Sequence, residues 1–279
     1  MPAAASPLTA AYDRLGAALP ALTVTELGPD GPAPAGEGWT SAAGLAAGGP
    51  ELDAFLAWDA AQVLRDHGRP ARPDVVASFG LHRYAWAACL LITVPWFLHR
   101  RVPRLPVTHV SYHRTAGRMA VRPPVSLACL PGDPAAVLPG TVVVPDEEAL
   151  RARVRAAVAE HLEPVLDAFG PRARRRGRAL WGMATDEVVE GLWYVARLLG
   201  EDEERRAVRE LGLLLPGATG PYAGAAAFRT PDPDGAPLAT RVRASCCMFY
   251  TVRPEDMCAT CPRTRDSGRT GKAACTASA

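Results

Sequence analysis

Four cysteines near the end of the chain have the spacing of a metal-binding site. They are Cys246, Cys247, Cys258 and Cys261, so two adjacent thiols are followed by ten residues and then by a pair with two residues between them. A pair with this spacing commonly binds a metal, because the chain turns between the two cysteines and lets both sulfurs face one ion. Thiolates are soft ligands that suit zinc or an iron–sulfur cluster. The spacing therefore predicts a metal centre in this segment.

The adjacent pair favours an iron–sulfur cluster over a single zinc ion. Neighbouring side chains of an extended chain point to opposite faces, so aiming Cys246 and Cys247 at one ion requires a sharp bend. A two-iron cluster offers two centres, and four cysteines are what a [2Fe–2S] or [4Fe–4S] cluster requires. A zinc site stays open as the alternative, whereas a structural disulfide is disfavoured in a reducing cytosol.

Other candidate ligands are expected to lie outside this centre. Cys89 and Cys129 lie in apolar runs, where free cysteine behaves as a small hydrophobic residue, so we expect both in the core. Cys275 lies in a polar tail and is interpreted as a spare thiol. His109 and His113 are predicted on a strand, where residues four apart are too distant to bind one ion.

The cysteine segment resembles a known family. The motif RxSCC…CxxCP, which includes Arg243, Ser245, the four cysteines and Pro262, is similar to the C-terminal signature of the FhuF-type ferric-siderophore reductases. A second motif, RALWGMATDEV at residues 178–188, resembles the LWGN-type helix start of that family, with Met183 where asparagine is common. The resemblance covers residues 50 to 265, and outside the two motifs it depends on the order of the elements.

The resemblance implies an oxidoreductase that reduces siderophore-bound Fe(III) to Fe(II) and so releases the iron. It implies a [2Fe–2S] cofactor with the four cysteines as ligands, and nearby cations at Arg243, Arg253 and Arg263 would favour the reduced form. The sequence has no dinucleotide or P-loop motif, so we expect the electron from a separate ferredoxin or flavin reductase. A zinc-stabilised binding domain and an iron–sulfur sensor of redox state or iron are the alternatives.

Hydrophobic periodicity predicts the elements that must position the cysteines. Helices are predicted over residues 7–19, 50–68, 73–99, 145–170, 177–199 and 201–215. Short segments rich in β-branched residues, separated by glycine or proline, predict a small antiparallel sheet at about 106–144. The predicted fold is therefore α+β and mainly helical, and it ends in a cysteine-rich loop that binds the cluster.

The chain is predicted to have four parts. Residues 1–49 form a loop-rich N-terminal segment, residues 50–240 the mainly helical reductase-like domain, residues 241–265 the [2Fe–2S] motif and residues 266–279 a flexible tail. The length of 279 residues, with 48% hydrophobic and 22% charged residues, is typical of a soluble globular protein.

Charge and hydropathy limit the partners. With 31 basic and 29 acidic residues, the chain lacks the positive excess expected for nucleic-acid binding. Its N-terminus does not resemble a secretory signal, which predicts a cytoplasmic protein. The uncharged run at residues 84–98 is too short for a membrane span. We expect it to be a buried helix whose basic rim allows at most a peripheral membrane contact.

Two further groups have both a functional and a structural interpretation. The arginine run at residues 172–178 could attract an anionic ferric siderophore or an acidic electron-transfer partner, and it is interpreted first as an exposed loop between helices. Trp181, Trp193 and Tyr194 could stack on a substrate. On a predicted helix they are interpreted as core residues.

Overall fold

Helices dominate the fold. The computed structural model describes residues 6–229, 240–255, 258 and 261–265. The helices are α1 (Thr9–Ala18), α2 (Ala42–Ala47), α3 (Pro50–His67), α4 (Pro73–His99), α5 (Glu147–Ala173), α6 (Arg178–Leu199) and α7 (Glu201–Leu214). The strands are β1 (Thr23–Glu26), β2 (Trp39–Ser41), β3 (Val102–Arg104), β4 (Val110–His113), β5 (Arg118–Val121), β6 (Ser126–Cys129), β7 (Thr141–Val143), β8 (Phe228–Arg229) and β9 (Thr240–Arg241). The predicted α+β, mainly helical class is confirmed.

Helix α4 lies at the centre of the core, in contact with α1, α3, α5 and α6. Pro73 occupies its first turn, where a missing N–H is tolerated, and Arg100 ends it in a left-handed conformation with φ 54°. The helix is long and apolar enough to cross a membrane, but 78% of its most apolar window is buried inside the protein. This burial confirms the prediction of a core helix.

The β-structure differs from the single antiparallel sheet that was predicted. One sheet has the order β1-β5-β4-β2 and contains a parallel β1–β5 pair, and another has the order β3-β6-β7 with a parallel β6–β7 pair. The remaining pairs in both sheets are antiparallel. Parallel neighbours form through long-range pairing, which the pattern of short segments does not specify.

The first 49 residues contribute to the core. They contain α1, α2, β1 and β2, and Leu8, Leu15 and Leu45 are almost fully buried. Ser41 caps α2 by accepting a hydrogen bond from the backbone N–H of Gly44 at 2.9 Å. This part was predicted to be loop-rich because proline and glycine residues usually mark loops. Its short helices and strands could not be predicted, because only tertiary contacts stabilise them.

Two connections place the cysteine segment on the helical core. Strand β9 pairs with β8 and ends at Arg241, directly before the cysteine motif. The arginine run was predicted to be a loop, and Arg174, Arg175 and Arg176 do lie in the loop between α5 and α6. Arg172 belongs to the last turn of α5 and Arg178 begins α6, because α5 continues past Pro171 to Ala173. Arg175 reaches the cysteine motif. The predicted tail at residues 266–279, with Cys275, lies outside the described residues.

Candidate metal centre

The backbone bends sharply just after the two adjacent cysteines. Met248 has φ 64° and ψ 13°, a left-handed conformation that is uncommon for a residue other than glycine. Its N–H points to the Sγ atom of Cys246 at 3.4 Å, and a 3₁₀ turn at Phe249–Thr251 follows. The chain therefore turns directly after the adjacent pair, at the start of the loop that leads to Cys258 and Cys261.

The bend brings the four thiols together as two pairs. The Sγ atoms of Cys247 and Cys258 are 3.5 Å apart, and the thiols of Cys246 and Cys261 form a hydrogen bond. Two sulfurs bound to one tetrahedral metal at about 2.3 Å would lie about 3.8 Å apart. The distance between Cys247 and Cys258 therefore fits two ligands of one metal ion.

The four thiols can serve the two irons of a two-iron cluster. Each sulfur pair would then hold one iron. Cys258 and Cys261 are 8% and 6% exposed, whereas Cys246 and Cys247 are half-buried. One half of the site therefore faces the interior and the other half approaches the surface.

The two adjacent thiols have opposite tendencies to ionise. A hydrogen bond from the Cys258 thiol lowers the pKa of Cys247 to about 6, and Arg243 contributes in the same direction, although burial opposes it. Burial raises the pKa of Cys246 above its ordinary value. Because the thiolate is the form that binds metal, Cys247 is more ready to bind a metal than Cys246 is.

A buried carboxylate on α6 anchors the segment that leads into the cysteines. Asp186 is fully buried and accepts hydrogen bonds from the backbone N–H groups of Ala244 and Ser245, each at 2.8 Å, and from the Ser245 hydroxyl at 2.6 Å. It also pairs with the fully buried Arg241. These contacts fix the residues directly before Cys246 on the helix.

A buried network of charges surrounds this anchor. Arg243 lies 3.7 Å from Asp186, 3.9 Å from Glu187 and 3.8 Å from Glu190. Burial disfavours its charged form, but the three carboxylates, Glu190 first, more than offset this and raise the pKa of Arg243. His82 of α4 contacts Glu187 at 2.6 Å. The network therefore keeps a permanent cation beside Cys247.

Apolar contacts hold the loop between the cysteine pairs. Val252 is buried with Val63 of α3 and Val75 of α4. The ring of Phe249 packs edge-on against His67, with ring centroids 5.8 Å apart. The loop is thus packed against α3 and α4, while the residues before the cysteines are held on α6.

The three arginines predicted to lie near the cluster have different environments. Arg243 belongs to the buried network and acts on Cys247. Arg253 is 46% exposed and lies 3.5 Å from Glu255, and Arg263 stacks over the ring of Tyr250 at 4.5 Å. Of the three, Arg243 is therefore the one that the structure places in the anchor network.

The residues interpreted as structural lie in the core or make other contacts. Cys89 and Cys129 are buried, as predicted. His113 lies on β4 as predicted and packs on Trp39, whereas His109 lies in a 3₁₀ turn (Val107–His109) just before that strand and contacts the carbonyl oxygen of Pro123. The two histidines therefore serve different local contacts.

Met183 of the second family-like motif and the aromatic residues of α6 belong mainly to the interior. Met183 is 3% exposed and belongs to the hydrophobic core. Trp193 is 8% exposed and donates a hydrogen bond to Glu204 at 2.9 Å. Trp181 and Tyr194 are half-buried and pack on the rings of Tyr222 and Trp86.

Sequence reasoning missed the acidic residues of α6. Asp186 and Glu190 are four residues apart, so they lie on one helical face, and both contact arginines of the cysteine segment. The available signal was the presence of carboxylates inside an otherwise apolar helix, because a buried charge requires a partner. The contact of Arg175 with Cys246 was also missed, since only the fold brings the two together.

Comparison with known proteins agrees with this geometry. Residues 243–263 match the family model described as the FhuF 2Fe-2S C-terminal domain. No curated protein matches the chain at a significant level. The match spans the four cysteines and Arg243, and it identifies the cofactor as a [2Fe–2S] cluster. The predicted resemblance is thereby confirmed, and the cysteine segment is similar to the FhuF 2Fe-2S C-terminal domain.

Proposed function

We propose that this protein is a cytoplasmic ferric-siderophore reductase. Siderophores hold Fe(III) through hard oxygen donors, and Fe(II) is held less strongly, so one electron is sufficient to release the iron. The observation that carries the proposal is the pairing of four thiols in a segment that matches the FhuF 2Fe-2S domain, with the adjacent Cys246 and Cys247, called here the surface pair, only half-buried.

The four cysteines are proposed as the cluster ligands. Cys247 and Cys258 would hold one iron, and Cys246 and Cys261 the other, because the thiols contact each other in these combinations. When bound, a [2Fe–2S] cluster supplies one-electron transfer. The turn that joins Cys258 to Cys261 is closed by a backbone hydrogen bond of 2.9 Å, which keeps the buried pair in place.

The charged network is proposed to position the cysteines and to compensate their charge. Four thiolates bring negative charge, which the cation at Arg243 partly balances beside Cys247. The carboxylates of α6 hold that cation in a fixed position, so little reorganisation is needed when an electron arrives.

The surface pair is proposed to be the point of contact with the substrate. Cys246 and Cys247 are half-buried, so a bulky ferric chelate can approach them without entering the core. One electron would pass to the chelated Fe(III), which becomes Fe(II), and the protein would then require one electron from an external donor. The donor is proposed to be a ferredoxin or a flavin reductase.

The test is a spectroscopic and chemical analysis of anaerobically purified protein. We expect visible absorption, an EPR signal on reduction, and two irons and two sulfides per chain. The reduced protein should then be reoxidised by ferric siderophores, with Fe(II) trapped by a coloured chelator. Colourless protein with one zinc would refute the proposal, and a reducible cluster that ferric chelates do not reoxidise would favour a sensor.

A further inference from the structure

The arginine run, which extends from the end of α5 to the start of α6, contacts the cysteine segment. Residues 171–178 contain five arginines and no acidic residue. The exposed members are Arg172, Arg174, Arg176 and Arg178. The half-buried Arg175 donates a hydrogen bond from Nη2 to the carbonyl oxygen of Cys246 at 2.6 Å. A strongly basic surface is therefore tied to the backbone of a proposed cluster ligand.

A shallow apolar groove borders this run. It lies between α3 and the start of α4 and has a volume of about 290 Å³. Its apolar lining consists of Leu56, Ala57, Ala60, Ala71, Pro73 and Val76. Asp53 and Arg172, which form an ion pair, lie at its rim. Leu64 continues the outer face of α3 and is 49% exposed, so the apolar surface extends along the helix.

The same two helices also contact the cysteine segment. Val63 of α3 and Val75 of α4 form a small cluster with Val252, and both Ala71 of the groove and Met248 pack on this cluster. The groove, the arginine run and the cysteines therefore adjoin one another. We refer to residues 172–178 together with the groove as the basic surface.

This combination fits a protein partner better than a small ligand. An apolar centre with a charged rim is the usual arrangement of a protein–protein interface, whereas small molecules are bound in pockets that enclose most of their surface. Exposed arginines attract an acidic partner over a distance and orient it on arrival. The positive charge of the arginine run therefore favours a negatively charged partner.

We propose that the basic surface docks an acidic electron-transfer protein of the ferredoxin class. The inference rests on the proposed function, since it identifies where the external donor binds. One electron leaves the reduced donor, which is oxidised, and enters this protein, which is reduced by one electron. The contact between Arg175 and Cys246 places the docked donor next to the surface pair of cysteines.

The test measures binding of an oxidised, acidic plant-type [2Fe–2S] ferredoxin to the holoprotein by calorimetry at 20 and 200 mM salt. We expect the Kd to rise about tenfold at the higher salt, because screening weakens contacts between exposed charges. The triple variant Arg174→Glu/Arg176→Glu/Arg178→Glu should weaken binding at least about tenfold at low salt. Its visible spectrum and iron content confirm that the cluster site is intact.

Two further variants keep the test decisive. Ala60→Glu places a charge in the groove on an exposed helical position, so it should weaken binding even if the triple variant misfolds. Arg118→Glu changes an exposed arginine on β5 and should leave the Kd unchanged. Equal affinity of the wild type, the triple variant and Ala60→Glu, or wild-type binding that salt does not affect, would overturn the proposal.

A separate measurement distinguishes this inference from the proposed function. If the triple variant binds ferredoxin normally but shows a raised KM for an anionic ferric chelate, the run serves the substrate and the docking proposal is wrong. If ferredoxin binds as expected but no ferric chelate is reduced, the docking proposal stands and the reductase proposal fails.

Discussion

Cys247 is the adjacent cysteine whose surroundings favour the thiolate. Its sulfur lies 3.5 Å from that of Cys258, and Arg243 acts on it from the buried network. The adjacent Cys246 is held differently, through the N–H of Met248 and through Arg175 on its carbonyl oxygen. Loss of Cys247 should therefore remove a ligand that the surrounding charges already favour as a thiolate.

The substitution Cys247→Ser should strip or destabilise the cluster, because a hydroxyl is a poor replacement for a thiolate ligand. We expect iron content and visible absorption to fall by more than half when the variant is purified anaerobically beside the wild type. Cys275→Ser is the matched control and should retain both. Wild-type cluster occupancy in Cys247→Ser would contradict the four-ligand assignment.

The cysteines of the metal centre could be predicted from the sequence, whereas the residues that hold them in position could not. Cysteine spacing predicts the centre because few roles other than metal binding explain four thiols so close together in the sequence. The left-handed conformation of Met248 could not be predicted, because a non-glycine residue adopts it only where surrounding contacts impose it. Asp186 could not be assigned either, since its partners lie 55 or more residues away.

At the scale of elements, α6 is the platform on which the cysteine segment is mounted. It is long, apolar and buried along most of its length, yet it carries three carboxylates that meet Arg241 and Arg243. The helix itself was predicted from its periodicity. Its role in holding the cysteine segment was not predicted. The residues that contact its carboxylates lie in β9 and the following loop, much later in the chain.

The substitution Asp186→Asn should release the cysteine segment while leaving the helices folded. An amide cannot replace every hydrogen bond that the carboxylate accepts, and it removes one of the two carboxylates that pair with the buried Arg241, a loss of about 1.5–3 kcal/mol. We expect lower iron content and an altered EPR spectrum with unchanged helical circular dichroism. Asp202→Asn, the same change at a side chain that is 95% exposed, should have no effect.

At the scale of the whole molecule, distant segments complete one core around α4. The helices that surround it could be predicted, whereas the sheets and the N-terminal elements depend on pairing between segments remote in sequence. His161 of α5 illustrates such a connection. Its Nδ1–H donates to the carbonyl oxygen of Leu105 at 2.6 Å, and its Nε2 accepts from the Tyr84 hydroxyl at 2.7 Å. The buried imidazole therefore joins three segments in its neutral form.

This arrangement predicts that acid weakens the fold. Burial lowers the pKa of His161 below its ordinary value of 6.5, although the hydrogen bond to Leu105 and the charge of Glu160 oppose the shift. Below pH 6.5 the unfolded chain therefore binds a proton that the folded chain does not, and stability falls as the pH falls, by up to about 1.4 kcal/mol per pH unit for one group.

The free energy of unfolding should therefore fall between pH 7.0 and 5.5 more steeply in the wild type than in His161→Gln, which has no imidazole to protonate. The variant should be less stable by about 1–3 kcal/mol at pH 7.0, because glutamine cannot satisfy both Leu105 and Tyr84 from the same position. Urea unfolding followed by tryptophan fluorescence measures both quantities, and the visible spectrum checks that the cluster remains bound at each pH. Equal pH slopes in the two proteins would show that His161 does not couple protonation to the stability of this core.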